Sequence, residues 1–149
     1  MSPLINILLV EDDEVDIMNV QRAFKRVNVS HPLFIARNGV EALEMLRKKN
    51  NPLHPPIRII LLDLNMPKMG GIQFLTELRR DPELRSISVF VMTTSAEEND
   101  KISAHNLNVA GYILKPLSFK SFTKAVEILN HYWQLCEQPI YSAINVRTQ

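Results

Sequence analysis

Four places in this 149-residue chain gather polar residues of specific chemistry, each at the end of an apolar run. Glu11-Asp12-Asp13 follows the run 5–10, and Asp63 closes the run 57–62. Thr93-Thr94-Ser95 follows 87–92, and Lys115-Pro116 follows 111–114. If these runs are parallel strands of one sheet, their carboxyl ends share an edge, where such sheets bind ligands. Three or four carboxylates, a hydroxyl and an ammonium then converge on one crevice. Carboxylates at close quarters repel unless a cation neutralises them. Hard oxygen donors in an open site suit Mg2+, which keeps several waters and takes phosphate oxygens as further ligands. The lysine and the hydroxyl complete a cradle for a phosphoryl group. A carboxylate in the middle of such a set can be the nucleophile, forming an acyl phosphate. Asp63 suits that role, because it ends an apolar strand and is followed by the turn sequence Met66-Pro67-Lys68-Met69-Gly70-Gly71. Proline and glycine are expected to set the backbone angles of that turn.

The elements that must carry these residues are legible from the apolar pattern. Runs at 5–10, 33–37, 57–62, 87–92 and 111–114 are too short for buried helices and read as strands. Those at 5–10, 57–62 and 87–92 are nearly continuous in apolar residues, as strands covered on both faces are. Helical spacing falls between them. Ile17, Val20, Phe24 and Val27 mark one face of a helix from Asp13 to about residue 28. Asn38, with Glu41 three residues on, caps a second helix, and 71–80 forms a third. Ser95 and Glu98 form a capping box for a fourth, to about residue 106, and Ser118 caps a fifth that runs to about Cys136. Asp81-Pro82-Glu83 marks a turn or a single helical turn. Strand and helix alternate five times, which implies an α/β fold: a doubly wound, five-stranded parallel sheet with helices on both faces.

Composition excludes several classes. One cysteine rules out a disulfide scaffold, and a net charge of +1 argues against gripping nucleic acid through phosphates. No apolar run approaches the ~20 residues of a membrane span. The start of the chain has no basic region before its apolar run and meets Glu11 at once, unlike a secretory signal. A soluble, cytoplasmic domain over 1–138 is expected, with 139–149 as a tail and no output domain. The four histidines, His31, His54, His105 and His131, lack ligand spacing. Asp13 and Glu14 read as first-turn acids favoured by the helix dipole, and Arg79, Arg80 and Arg85 as a solvated basic face.

Taken together, Val10-Glu11-Asp12, Leu62-Asp63-Leu64-Asn65-Met66-Pro67, Met92-Thr93-Thr94 and Gly111-Tyr112-Ile113-Leu114-Lys115-Pro116 make the chain resemble the receiver domain of two-component response regulators. The likeness covers about 6–133. It implies a flavodoxin-like strand order 2-1-3-4-5 and an Asp63 that accepts a phosphoryl group from a histidine kinase. It implies Mg2+ held directly by Asp12 and Asp63, through water by Glu11, and by the backbone carbonyl of Asn65. It implies that Thr93 turns toward the phosphoryl group, that Lys115 pairs with it, and that Tyr112 swings inward as Thr93 moves. The surface changed by the switch would be built from the helix at 95–106, the strand at 111–114 and the fifth helix. Gly70 stands where the family usually has Asp or Asn, a departure expected to loosen the loop. The prolines at 55 and 56, Thr93-Thr94-Ser95 and Tyr132-Trp133 are similar to small response regulators paired with cyanobacterial and bacterial phytochromes. That narrower likeness implies a light-sensing kinase as phosphodonor and pairing through the last helix.

The fifth helix supports pairing by its own pattern. Phe119, Phe122, Val126, Leu129, Trp133 and Cys136 form one apolar row, and Ala125, Ile128, Tyr132 and Leu135 a second beside it. Together they span about 200° of the helix, wider than the ~100° stripe that one core contact needs. A homodimer is expected there, with Ile128, Tyr132, Trp133 and Leu135 at the interface; the alternative is that 139–149 folds back over the excess. Three rival functions stand beside the receiver. An aspartyl-phosphate phosphohydrolase needs an acid two positions after the nucleophile, where this chain has Asn65. A nucleotide- or flavin-binding domain needs a glycine- or hydroxyl-rich loop after the first strand, where this chain has Glu11-Asp12-Asp13-Glu14. A degenerate receiver would act as a binding module without phosphorylation.

Overall fold

The computed structural model describes residues 5–48, 56–64, 66, 68–93, 106–114 and 118–135. Five strands, β1 (Asn6–Val10), β2 (Leu33–Ala36), β3 (Ile57–Asp63), β4 (Ser88–Thr93) and β5 (Gly111–Leu114), form one sheet in the order β2-β1-β3-β4-β5. Every pairing is parallel. Helices α1 (Glu14–Arg26), α2 (Gly39–Arg47) and α3 (Gly71–Arg80) follow the first three strands, and a long helix, Phe119–Leu135, follows β5. The helix expected at 95–106 lies outside the described residues, as do Cys136 and the tail 139–149. Among the described residues, no helix is long and apolar enough to cross a membrane.

The near-continuous apolar strands are explained by two cores, one on each face. Leu8 and Val10, Ile60 and Leu62, and Val89 and Val91 point to the side covered by α2 and α3, where Ala42, Leu43, Phe74, Leu75 and Leu78 are buried. Their alternates Ile7 and Leu9, Ile59 and Leu61, and Phe90 and Met92 point to α1 and the long helix.

Local chemistry sets the helix starts. Asp13 Oδ1 accepts from the Asp16 N–H at 3.0 Å, Asn38 Oδ1 from the Glu41 N–H at 2.8 Å, and Ser118 Oγ from the Ser121 N–H at 3.1 Å. Each satisfies a donor that a helix end leaves open. Asp81 begins a single helical turn, its carbonyl accepting from the N–H groups of Leu84 and Arg85.

Two expectations need correction. The long helix separates its two apolar rows: Phe122, Val126 and Trp133 are buried, whereas Ile128, Tyr132 and Leu135 stand exposed. Trp133, expected at a dimer interface, is 3% exposed and packs on Phe24, His31 and Phe90 with ring centroids 6.3–6.4 Å away. Its surface is used within the chain, so none is left for a second copy. Arg79 is likewise no solvated charge. Its guanidinium donates to four main-chain carbonyls, those of Leu107, Arg85, Ile87 and Asn108. Burial pulls its pKa down from the ordinary arginine value.

Candidate functional site

Because all strands run the same way, β1, β3, β4 and β5 present their carboxyl ends along one edge. Glu11 follows β1, and its N–H donates to Ala36 O at 2.9 Å, which continues the β1–β2 ladder by one residue. Its carboxylate is fully buried, and Oε1 accepts from the Asp13 N–H at 3.1 Å. Asp12 faces outward. Asp63 is the last residue of β3, in register with Met92, and only 5% exposed.

Carboxylate oxygens of Glu11, Asp12 and Asp63 all lie within 4.8 Å of one another. At that separation and an effective dielectric constant of about 20, two unit charges repel by roughly 3.5 kcal/mol. Three such groups, two of them buried, form an electrostatic site that a divalent cation relieves. All-oxygen donors of this kind suit Mg2+ or Mn2+ better than Zn2+. The residues therefore fit the metal that the sequence implies.

The other residues singled out in the sequence divide into two groups. Thr93 is the last residue of β4, registered against Leu114 of β5. Tyr112 stands on β5 opposite Val91 and is 39% exposed, so its ring faces outward. Lys115 and Asn65 lie outside the described residues.

The turn after Asp63 departs from expectation. Gly70 is extended (φ −64°, ψ 168°), a conformation open to any residue, and caps α3 without a side chain. The left-handed angles belong to Lys68 (φ 48°) and Met69 (φ 65°). Gly71 is required for a different reason: a Cβ there would lie 2.6 Å from Leu64 Cα and 2.8 Å from Asp63 O. Met69 also lies against Gly39, the first residue of α2, where a Cβ would meet Met69 Cγ at 2.7 Å. Leu64 and Met69 thus pack closely against Gly71 and Gly39, while Gly70 takes no angle that requires glycine.

Sequence reasoning missed Arg79, whose partners are all main-chain oxygens, and His31. His31 is 9% exposed, and its Nδ1 accepts from the Ile5 N–H at 3.0 Å. Burial pushes the imidazole pKa down, which keeps it neutral. The hydrogen bonds given for both residues run to main-chain groups, which a sequence pattern does not show.

Comparison with known proteins agrees with this geometry. The sequence profile of the response regulator receiver domain matches residues 7–127, and the chain belongs to that family. It is 38% identical over 128 residues to the response regulator Rcp1 of Synechocystis, covering 85% of this chain and 87% of that protein. It is also 38% identical over 127 residues to the probable methanogenesis regulatory protein FilR2 of Methanothrix harundinacea, covering 85% and 82%. The structure of the phosphorylated cyanobacterial phytochrome response regulator RcpA superposes with a TM-score of 0.78 at 33% identity, covering 91% of this chain and 98% of that one. A Mn2+-bound structure of Rcp1 superposes at 0.75 with 36% identity, covering 89% and 96%.

Proposed function

We propose that this response regulator takes a phosphoryl group onto Asp63 from the phosphohistidine of a histidine kinase. The observation that carries the reading is the meeting of the Asp63, Glu11 and Asp12 carboxylates at the carboxyl edge of the sheet. An Asp63 oxygen attacks phosphorus, the phosphorus–nitrogen bond breaks, and its electron pair returns to the imidazole, which takes a proton from solvent. Asp12 and Asp63 would hold Mg2+ directly, with Glu11 acting through water and the Asn65 carbonyl as a further ligand, and the ion would supply positive charge against the carboxylates and the phosphoryl oxygens. Lys115 pairs with one phosphoryl oxygen, and the Thr93 hydroxyl donates to another. Tyr112, outward here, follows Thr93 inward and changes the surface around β5 and the long helix. The likeness to Rcp1, whose structure binds Mn2+, supports the metal, and the likeness to RcpA supports a phytochrome as the donor kinase.

The exposed row Ile128, Tyr132 and Leu135 supports a homodimer through the long helix. Sedimentation of Tyr132→Glu should give a monomer where the unsubstituted protein gives a dimer. A monomer in both at tens of micromolar would end the dimer reading.

The phosphoryl chemistry is tested by intact mass after incubation with acetyl phosphate and Mg2+. One added phosphoryl group is expected, absent in Asp63→Asn and absent with EDTA. Failure to label, together with no response to beryllium fluoride, would leave a binding module that works without phosphorylation.

A further inference from the structure

The four hydrogen bonds of Arg79 join segments that lead into two different strands. Nη1 donates to Arg85 O and Ile87 O, just before β4. Nε donates to Leu107 O and Nη2 to Asn108 O, just before β5. All four distances are 2.8 Å. The approach to β5 is shaped around this contact. Asn106 and Asn108 take left-handed angles (φ 53° and 51°), which asparagine tolerates, and Leu107 between them is buried. The Ala110 N–H then donates to Val89 O at 2.7 Å, closing the base of the β4–β5 pair.

β5 needs such help. It is an edge strand of four residues, paired with β4 alone at four positions. A strand this short, with one neighbour, has little of its own to fix its place along that neighbour. Arg79 adds as many bonds as the ladder has pairs, in the rigid planar fork that only a guanidinium provides.

We propose that Arg79 is a positioning residue that fixes where β5 sits along β4, and thereby sets the strand from which Tyr112 switches and to which Lys115 is joined in sequence. It acts from the amino edge of the sheet, opposite the carboxylates. The part of the proposal that concerns Lys115 rests on the phosphoryl-transfer reading; the holding of β5 does not.

Two measurements test it, each on Arg79→Gln and on Arg79→Lys, which keeps the charge and loses the fork. The first is amide hydrogen exchange. Exchange across 110–114 is expected to quicken about tenfold or more, while β1 and β3 amides keep their rates. Equal quickening throughout the sheet would reduce Arg79 to general stability, and unchanged exchange in β5 would overturn the proposal outright. The second is the rate of Asp63 labelling by acetyl phosphate with Mg2+. Arg79→Lys is expected to slow it several-fold, and combining it with Lys115→Ala should slow it no further than Lys115→Ala alone. Independent, multiplying effects would show that Arg79 does not act through Lys115. If the unsubstituted protein takes no phosphoryl group, the functional reading fails while the exchange result still decides whether Arg79 holds β5.

Discussion

Replacing Gly71 by alanine adds one carbon beside the segment that carries Asp63. That carbon would lie 2.6 Å from Leu64 Cα, 2.7 Å from Leu64 Cδ2 and 2.8 Å from Asp63 O. Two of the three are backbone atoms, so no rotamer change relieves the clash. Overpacking of this kind costs about 1–3 kcal/mol, and backbone contact places it near the upper end. Alanine returns up to about 1 kcal/mol over glycine in a helix interior, and Gly71 is the first residue of α3, so the return is partial. The net loss is about 2 kcal/mol, a fall in Tm of about 4–8 °C for a chain of this size. Gly70→Asn is the matched control. Its Cβ has its nearest neighbour at 3.7 Å, its backbone is extended, and an asparagine oxygen can accept from the first turn of α3. It should gain a few tenths of a kcal/mol. Thermal unfolding is followed by the fluorescence of Trp133, the only tryptophan, and by circular dichroism. The reasoning is refuted if Gly71→Ala melts with the unsubstituted protein, or if Gly70→Asn falls as far as Gly71→Ala.

Three more outcomes are expected. His31 has its pKa lowered by burial in the folded chain, so below about pH 6.5 the unfolded chain takes up the proton first. Stability should therefore hold above that pH, decline as pH falls toward 5.5, and lose part of that decline in His31→Gln; urea midpoints at pH 7.5, 6.5 and 5.5 check this, and a flat profile in both proteins would contradict it. Trp133→Ala should cost about 3–5 kcal/mol in chemical denaturation, against less than about 0.5 kcal/mol for Leu135→Ala measured on the monomer. Mg2+ at a hundred times its dissociation constant should add about 2.7 kcal/mol of stability, and an Asp12→Asn protein at the same Mg2+ concentration should show far less; equal shifts in the two would place the cation elsewhere.

The strands were readable because a sheet covered on both faces leaves little choice of residue. Leu8 and Leu9 are neighbours in sequence and face different cores, so the whole run must be apolar. Asn38 was readable because a cap acts on a backbone group only three residues away. The carboxylate cluster followed once the strands were parallel, since Glu11 follows β1 and Asp63 ends the adjacent β3. The rotation of the long helix was not readable. Its apolar rows have equal claim on the core by sequence, and only packing against α1 and β4 selects the one that holds Trp133. Arg79 was hidden for a further reason: its partners are carbonyls 6 to 29 residues away, and a carbonyl leaves no mark in a sequence.

The contact between Gly39 and Met69 links two positions 30 residues apart into one evolutionary unit. No side chain fits at 39 while Met69 stands as it does, with its Cγ at 2.7 Å, its Sδ at 2.9 Å and its main-chain oxygen at 3.0 Å from where a Cβ would stand. A lineage that gains alanine at 39 must shorten or redirect the side chain at 69 and ease its carbonyl back slightly, in the loop that follows Asp63. Drift at the start of α2 is thus transmitted to the loop beside Asp63. Relatives should inherit the two positions as compatible pairs, glycine with a long side chain or alanine with a short one, rather than in free combination.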